Sequence, residues 1–194
     1  MEIAAATNNS GKAREFAEIL GDLGISVLTM RDLGIEIEIE ETGKTFAENA
    51  MIKAKALSEL CELPVLADDS GLCVNALDGA PGLYSARFAG EGASDSELRA
   101  KLKKELEGET DRSAFFISSV VMLFPDGKSI TAEGRVYGTI LDEERGSGGF
   151  GYDALFYCGE IGKTFAEAEP LEKDRVSHRG RALRELYKKL KGEI

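Results

Sequence analysis

The 194-residue chain has no tryptophan and no glutamine, and only four prolines, three cysteines and one histidine. Cys61, Cys73 and Cys158 are odd in number and far apart, with no Cys-x-x-Cys pair. They fit neither a disulfide framework nor a zinc site, and read as reduced packing residues. One histidine without cysteine neighbours makes a poor metal centre. Long apolar runs are missing as well: none approaches the roughly 20 residues a membrane helix needs. Met1-Glu2-Ile3-Ala4 has neither the basic start nor the apolar core of a signal peptide. A cytoplasmic protein with no membrane association is therefore expected. Positive charge is also short, since 24 Lys and Arg face 35 Asp and Glu for a net charge of −11. That balance argues against DNA, RNA or an anionic membrane as partner. It leaves room for a small anion held by a few local cations and a metal. The lack of glutamine beside many Glu, Lys and Arg leans towards a heat-adapted source. What remains, 43% hydrophobic and 30% charged residues, is ordinary globular composition. The length suits one well-buried domain or two tight lobes.

The chain is organised around Ala67-Asp68-Asp69-Ser70-Gly71. The apolar run Pro64-Val65-Leu66-Ala67 predicts a short buried strand, with the two acids at its end. Carboxylate oxygens are ligands that Mg²⁺ selects, and a carboxylate can take a proton from water. The plainer reading is a turn, because Asp, Ser and Gly are turn residues. A second polar stretch, Thr7-Asn8-Asn9-Ser10-Gly11-Lys12, follows the apolar run Ile3 to Ala6. Ser10 is the expected N-cap of a helix marked by Phe16, Ile19, Leu20 and Leu23, closed by Gly24. A strand–loop–helix junction of this kind turns backbone N–H groups, the helix dipole and Lys12 towards an anion. It is not a Walker A loop, since Ala6 and Ala13 stand where that motif needs Gly and Ser or Thr.

Ile25 to Met30 predicts a second strand, and Ile35, Ile37 and Ile39 alternate with glutamates as in a strand with one wet face. Glu41 follows in Glu40-Glu41-Thr42-Gly43. Thr45 and Glu48 have capping-box spacing, opening a helix with the small face Ala47, Ala50, Ala54. Asn49 and Lys53 share a side of it. Leu72 to Leu77 predicts another strand. Ser94 to Leu106 predicts a helix whose lysines are solvated. Ser113–Phe124 and Ser129–Tyr137 predict an antiparallel hairpin. In Gly148-Gly149-Phe150-Gly151-Tyr152-Asp153 the backbone can approach a ligand closely, and Phe150 or Tyr152 can stack on a base. A last helix, marked by Leu183, Leu186, Tyr187 and Leu190, opens with Ser177-His178-Arg179. Cations there oppose the dipole, which points to an anion or an oxygen-rich ligand at that end.

Together these blocks resemble the ITPase-like family, pyrophosphatases acting on non-standard purine nucleoside triphosphates (dITP, ITP, XTP). The similarity runs nearly end to end in five ordered blocks. They are Thr7 to Lys12; Glu40 to Gly43 with Glu48, Asn49 and Lys53; Asp68 to Gly71 running to Tyr84-Ser85-Ala86-Arg87; Gly148 to Asp153; and Glu172-Lys173 with Ser177-His178-Arg179. Ala154 stands where bacterial relatives often have proline. The resemblance implies an α/β fold: an elongated mixed β-sheet with flanking helices, a single domain with two lobes and an active-site cleft between them, working as a homodimer. It implies that Glu41 and Asp69 bind Mg²⁺ and that Asp69 is the proton acceptor. The substrate contacts it implies are Thr7, Asn8, Asn9, Ser10, Gly11, Lys12, Ser70, Phe150, Gly151, Tyr152, Asp153, Lys173, His178 and Arg179. Lys53 joins them as a further cation for the phosphates. The expected reaction releases a nucleoside monophosphate and pyrophosphate. A non-catalytic nucleotide sensor is the alternative. An aspartyl-phosphate phosphatase fits less well, because Asp68 and Asp69 are adjacent and not in Asp-x-Asp spacing.

Overall fold

β1 (Glu2–Ala5) is a short strand of Ile and Ala, buried at its last three residues. It pairs in parallel with β2 (Ser26–Thr29) on one side and β3 (Val65–Val74) on the other. Parallel neighbours need a crossover, and the helices α1 (Ser10–Gly21) and α2 (Phe46–Ser58) supply it. The computed structural model describes residues 1–192, and within them the sheet has the order β2-β1-β3-β4-β5-β6-β7. β4 (Ser113–Leu123) and β5 (Ser129–Ile140) are neighbours joined by a tight turn, in which Phe124 N donates to Lys128 O at 2.9 Å. β6 (Phe156–Cys158) and β7 (Lys163–Thr164) continue antiparallel. The remaining helices are α3 (Asp95–Glu105), α4 (Pro170–Val176) and α5 (His178–Lys191). The expected α/β class, a mixed sheet with flanking helices, is what forms.

The chain divides into two compact units: residues 1–69, 118–134 and 179 onward; and residues 70–117 and 135–178. In the first unit, strand alternation sorts the core into two clusters. Ile3, Ala5, Leu66, Val120 and Met122 pack with Phe16 and Leu20 of α1 and Leu183 of α5. Ala4, Ala6, Val65, Ala67 and Val121 pack with Ala50, Ala54 and Leu57 of α2. The small α2 face read from the sequence is thus buried against the strands, although Ala47 is exposed. In the second unit, Leu72, Val74, Val136, Phe156 and Phe165 enclose Leu98 and Leu102 of α3. Among the described residues no helix is long and apolar enough to cross a membrane.

Four local expectations are corrected. Asp68-Asp69-Ser70-Gly71 is neither a turn nor the end of a strand: it lies inside the ten-residue β3, so of the expected Leu72–Leu77 strand only Leu72 to Val74 is strand, as the end of that same element, and Asn75–Leu77 form a 3-10 turn. Residues 35–39 form no strand; the isoleucines are half-buried and the glutamates exposed, but no neighbouring strand supplies a ladder. Asn9, not Ser10, caps α1, its side chain accepting from Lys12 N at 3.0 Å. Thr45 caps α2 as expected, yet Glu48 closes the reciprocal bond one residue early, accepting from Lys44 N at 2.6 Å.

Candidate active site

Because side chains alternate along a strand, the adjacent acids of β3 point to opposite faces. Asp68 shares the parity of Leu66 and meets α1 and α5. Asp69 shares the parity of Val65 and Ala67 and meets α2. One sequence motif therefore feeds two different charge clusters.

On the α2 face, Asp69 is 6% exposed. Its Oδ2 accepts from Asn49 Nδ2 at 2.9 Å, and its Oδ1 lies 3.4 Å from Lys53 Nζ. The same ammonium is 2.9 Å from Glu41 Oε1. One cation thus touches both expected metal ligands, which brings the two carboxylates within reach of a single ion. Asn49 also accepts from Gly43 N at 2.8 Å, tying the Glu41 loop to the strand. A Cβ on Gly43 would lie 2.6 Å from that amide oxygen, so the close approach demands glycine. Asn49 is a site residue to which the sequence reading gave no role. The signal was there, an asparagine on the buried side of an otherwise small-residue helix. Burial raises the Asp69 carboxyl above its ordinary range, against the pull of Lys53, Lys12 and Asn49. Burial works against the Lys53 charge, but Asp69, Asp68 and Glu41 outweigh it and hold its ammonium above the usual value.

On the opposite face, Asp68 is fully enclosed. Lys12 Nζ lies 3.1 Å from its Oδ1, and Arg179 Nε and Nη2 reach its Oδ2 at 3.2 and 3.1 Å. Ser118 Oγ donates to the same oxygen at 3.4 Å. Arg179 also bonds Glu15 through Nη1, and is 1% exposed. Glu15 is the second residue given no role in the sequence reading. It sits one turn from Lys12 and Ile19 on the apolar stripe of α1, where a carboxylate requires a partner. Burial lowers the Lys12 ammonium below its usual value, with Asp68 opposing.

The loop before α1 closes on itself: Thr7 Oγ1 accepts from Asn9 N at 3.1 Å, and Asn8 Nδ2 donates to Ile37 O at 3.4 Å. Thr7, Asn8, Asn9 and Ser10 line an open pocket of about 900 Å³, whose other wall includes Arg31 and residues 34–38. Gly11 is the second residue of α1.

In the second unit, Lys173 Nζ is 2.7 Å from Asp153 Oδ2 and sits 4.8 Å from the centroid of the Phe150 ring. Phe150 N donates to the same Asp153 oxygen at 3.0 Å. Phe150 is half-buried, whereas Tyr152 is 3% exposed and its hydroxyl donates to Ser85 O at 2.8 Å. Of the two aromatics read as stacking candidates, Tyr152 is thus a core anchor and Phe150 the accessible ring. His178, also in this unit, stacks on Phe116 with centroids 4.8 Å apart and ring planes 13° apart. Ser70 is half-buried on β3. Gly149 has φ +70°, and a Cβ there would meet Asp153 Oδ2 at 2.1 Å. Gly149→Ala is expected to destabilise the fold by about 1–3 kcal/mol, since both the backbone and the Asp153 carboxylate must shift. Urea unfolding measures it; a loss below about 0.5 kcal/mol would mean the loop relaxes freely.

Fold and geometry define an α/β protein whose mixed sheet carries acid–base clusters on both faces of β3. Its family is defined more narrowly by likeness: the chain belongs to the Ham1 family, whose model matches residues 3–189. It is 51% identical over 193 residues to a dITP/XTP pyrophosphatase of Haemophilus influenzae, covering 97% of this chain and 98% of that protein. The Ham1 protein of Staphylococcus aureus superposes with a TM-score of 0.86 at 42% identity, over 100% of both chains. A HAM1 protein of Coxiella burnetii gives 0.87 at 41% identity, over 99% of both.

Proposed function

We propose that this chain hydrolyses non-standard purine nucleoside triphosphates (dITP, ITP and XTP) to the monophosphate and pyrophosphate, clearing them from the nucleotide pool. The observation that carries the reading is the lysine-bridged carboxylate pair, Glu41 and Asp69. Two carboxylates suit Mg²⁺, which takes one or two from protein and fills its octahedron with water and substrate phosphate. Glu41 and Asp69, both within 3.4 Å of the Lys53 ammonium, are the residues that would hold the ion. Held there, the ion would supply neutralisation of the charge that grows on the pyrophosphate leaving group.

The protein's own part follows from the geometry. Asn49 donates to Asp69 Oδ2 and Lys53 lies 3.4 Å from Oδ1, so both partners orient the carboxylate for the reaction. Asp69 takes a proton from water as the water oxygen bonds to the α-phosphorus and the bond to the β-phosphate oxygen breaks. Lys53 and Lys12, with the N–H groups at the start of α1, answer the polyphosphate charge. In the second unit, Phe150 supplies a ring for the purine, with Asp153 orienting Lys173. Lys173 and His178 donate to the keto oxygen at the six position, where adenine carries an amino group. A site built on such bonds rejects the wrong partner by roughly 10⁴–10⁵. The reading includes a cytoplasmic homodimer as the working form.

The test is product analysis by phosphorus NMR with Mg²⁺ and, separately, dITP, XTP and dATP. Monophosphate and pyrophosphate from the keto-purines, with dATP nearly untouched, is the expected result. Diphosphate and orthophosphate would place attack at the terminal phosphorus; binding without turnover would leave a sensor. Removing divalent metal with EDTA is expected to slow turnover at least about a hundredfold, restored by Mg²⁺. Unchanged turnover in EDTA would remove the metal from the reaction.

A further inference from the structure

We infer that Asp95 and Arg99 of α3 are positioning residues that hold the Phe150 loop from outside. The two are four apart on one helix and so share a face. Gly151 N donates to Asp95 Oδ2 at 2.7 Å, and Arg99 Nη1 donates to Gly151 O at 2.8 Å. Both backbone polar groups of one residue are thus gripped by one helix. Gly151 has φ +59° and nothing within 4 Å of where a Cβ would stand, so no packing wall fixes it. Arg99 is itself held, with Nε 2.9 Å from Glu144 Oε2. Lys103 approaches the other oxygen of that carboxylate at 3.7 Å.

The neighbours of Gly151 are secured in other ways. Tyr152 is anchored through Ser85 O, and Asp153 ties Phe150 N to Lys173. Gly151 is the link between the anchored tyrosine and the half-buried ring. Without the clamp the ring must be ordered when the purine arrives, and that cost falls on binding. The acids proposed for the chemistry are on other elements, so kcat is spared. The inference rests on the reading that Phe150 meets the base.

The experiment measures KM and kcat for dITP in Arg99→Ala, Asp95→Ala, Arg99→Lys and Phe150→Ala, with hydrogen exchange at the peptide containing Gly151. Arg99→Ala is expected to raise KM about tenfold with kcat within about twofold, losing one charge-assisted bond. Exchange at the loop should rise in the same variant. Asp95→Ala, on the more exposed partner, should raise KM about threefold. Arg99→Lys keeps a donor for Gly151 O and should stay within about threefold of the parent. Unchanged KM in both alanine variants, while Phe150→Ala raises it, overturns the clamp alone. Unchanged KM in Phe150→Ala as well overturns the base-stacking reading and the clamp with it. Equal falls in kcat and kcat/KM, accompanied by lost thermal stability, would mean a merely structural contact and would also overturn it.

Discussion

Asp69→Asn is expected to fold normally, bind nucleotide within about threefold of the parent, and turn over about a thousandfold more slowly, the span of a lost general base. Asparagine keeps the volume of the side chain. Its amide oxygen can still accept from Asn49 Nδ2, and Lys53 keeps Glu41. The stability side has a definite sign. Burial raises the folded-state pKa of Asp69, so the folded chain favours the protonated acid. Its ionised form therefore costs stability above that pKa, and the cost disappears as pH falls through it. A neutral amide escapes the cost, so the variant should melt at the same temperature as the parent or slightly higher. That trade is familiar at sites where a charge is kept for chemistry. Single-turnover kinetics with dITP, alongside thermal melts, make the check. More than a tenth of the parental kcat would take Asp69 out of the mechanism. A large drop in melting temperature would mean that the ion pair with Lys53 holds the Glu41 loop, and that lost activity reports lost structure.

Much of this arrangement was legible in the sequence, and the failures have a common physical cause. Helical spacing found α1, α2, α3 and α5, because an apolar stripe is a local property of the chain. The motif blocks found the residues that now cluster around Glu41 and Asp69, and around Phe150 and Lys173. The acidic motif was placed at the end of a strand and not inside it, because Asp, Ser and Gly are locally turn-forming. What overrides propensity is tertiary: Arg179, 111 residues away, and Lys12 neutralise Asp68 inside a strand. No local pattern displays a partner at that separation. Residues 35–39 show the converse. Their alternation predicted the faces correctly and the ladder wrongly, since period two reports which side is wet but not whether a neighbouring strand exists. Only the lysines of α3 were read as solvated and Arg99 was given no part, yet Arg99 is half-buried and occupied. Charge on a helix face says nothing of what loop lies over it.

The largest stability effect is expected at Arg179. Arg179→Met should cost about 3–5 kcal/mol, the range for breaking a buried ion pair from one side. At about 2–4 °C per kcal/mol for a chain of this size, the melting temperature should fall by about 10 °C. The loss arises less from the attraction removed than from the two acids left behind. Glu15 and Asp68 are 2% and 1% exposed, and Arg179 is the cation that both share. Burial alone would raise the Asp68 pKa, but Lys12, Arg179 and Lys53 hold it well below the usual carboxylate range. A folded-state pKa below the unfolded value of about 3.9 gives stability that is full above that value and lost as pH falls through the folded one. The parent should therefore keep this contribution in mild acid. In Arg179→Met the carboxylates can neutralise themselves by taking protons, so the gap between parent and variant should narrow from pH 7 to about pH 4. A second replacement separates charge from packing. Adding Glu15→Leu to Arg179→Met removes one of the two acids that lose this cation and should recover about 1–2 kcal/mol. Urea titrations at two pH values decide it. A gap that does not change with pH, together with no recovery in the double variant, would mean that Arg179 stabilises the fold by filling space, and that its charge network contributes little.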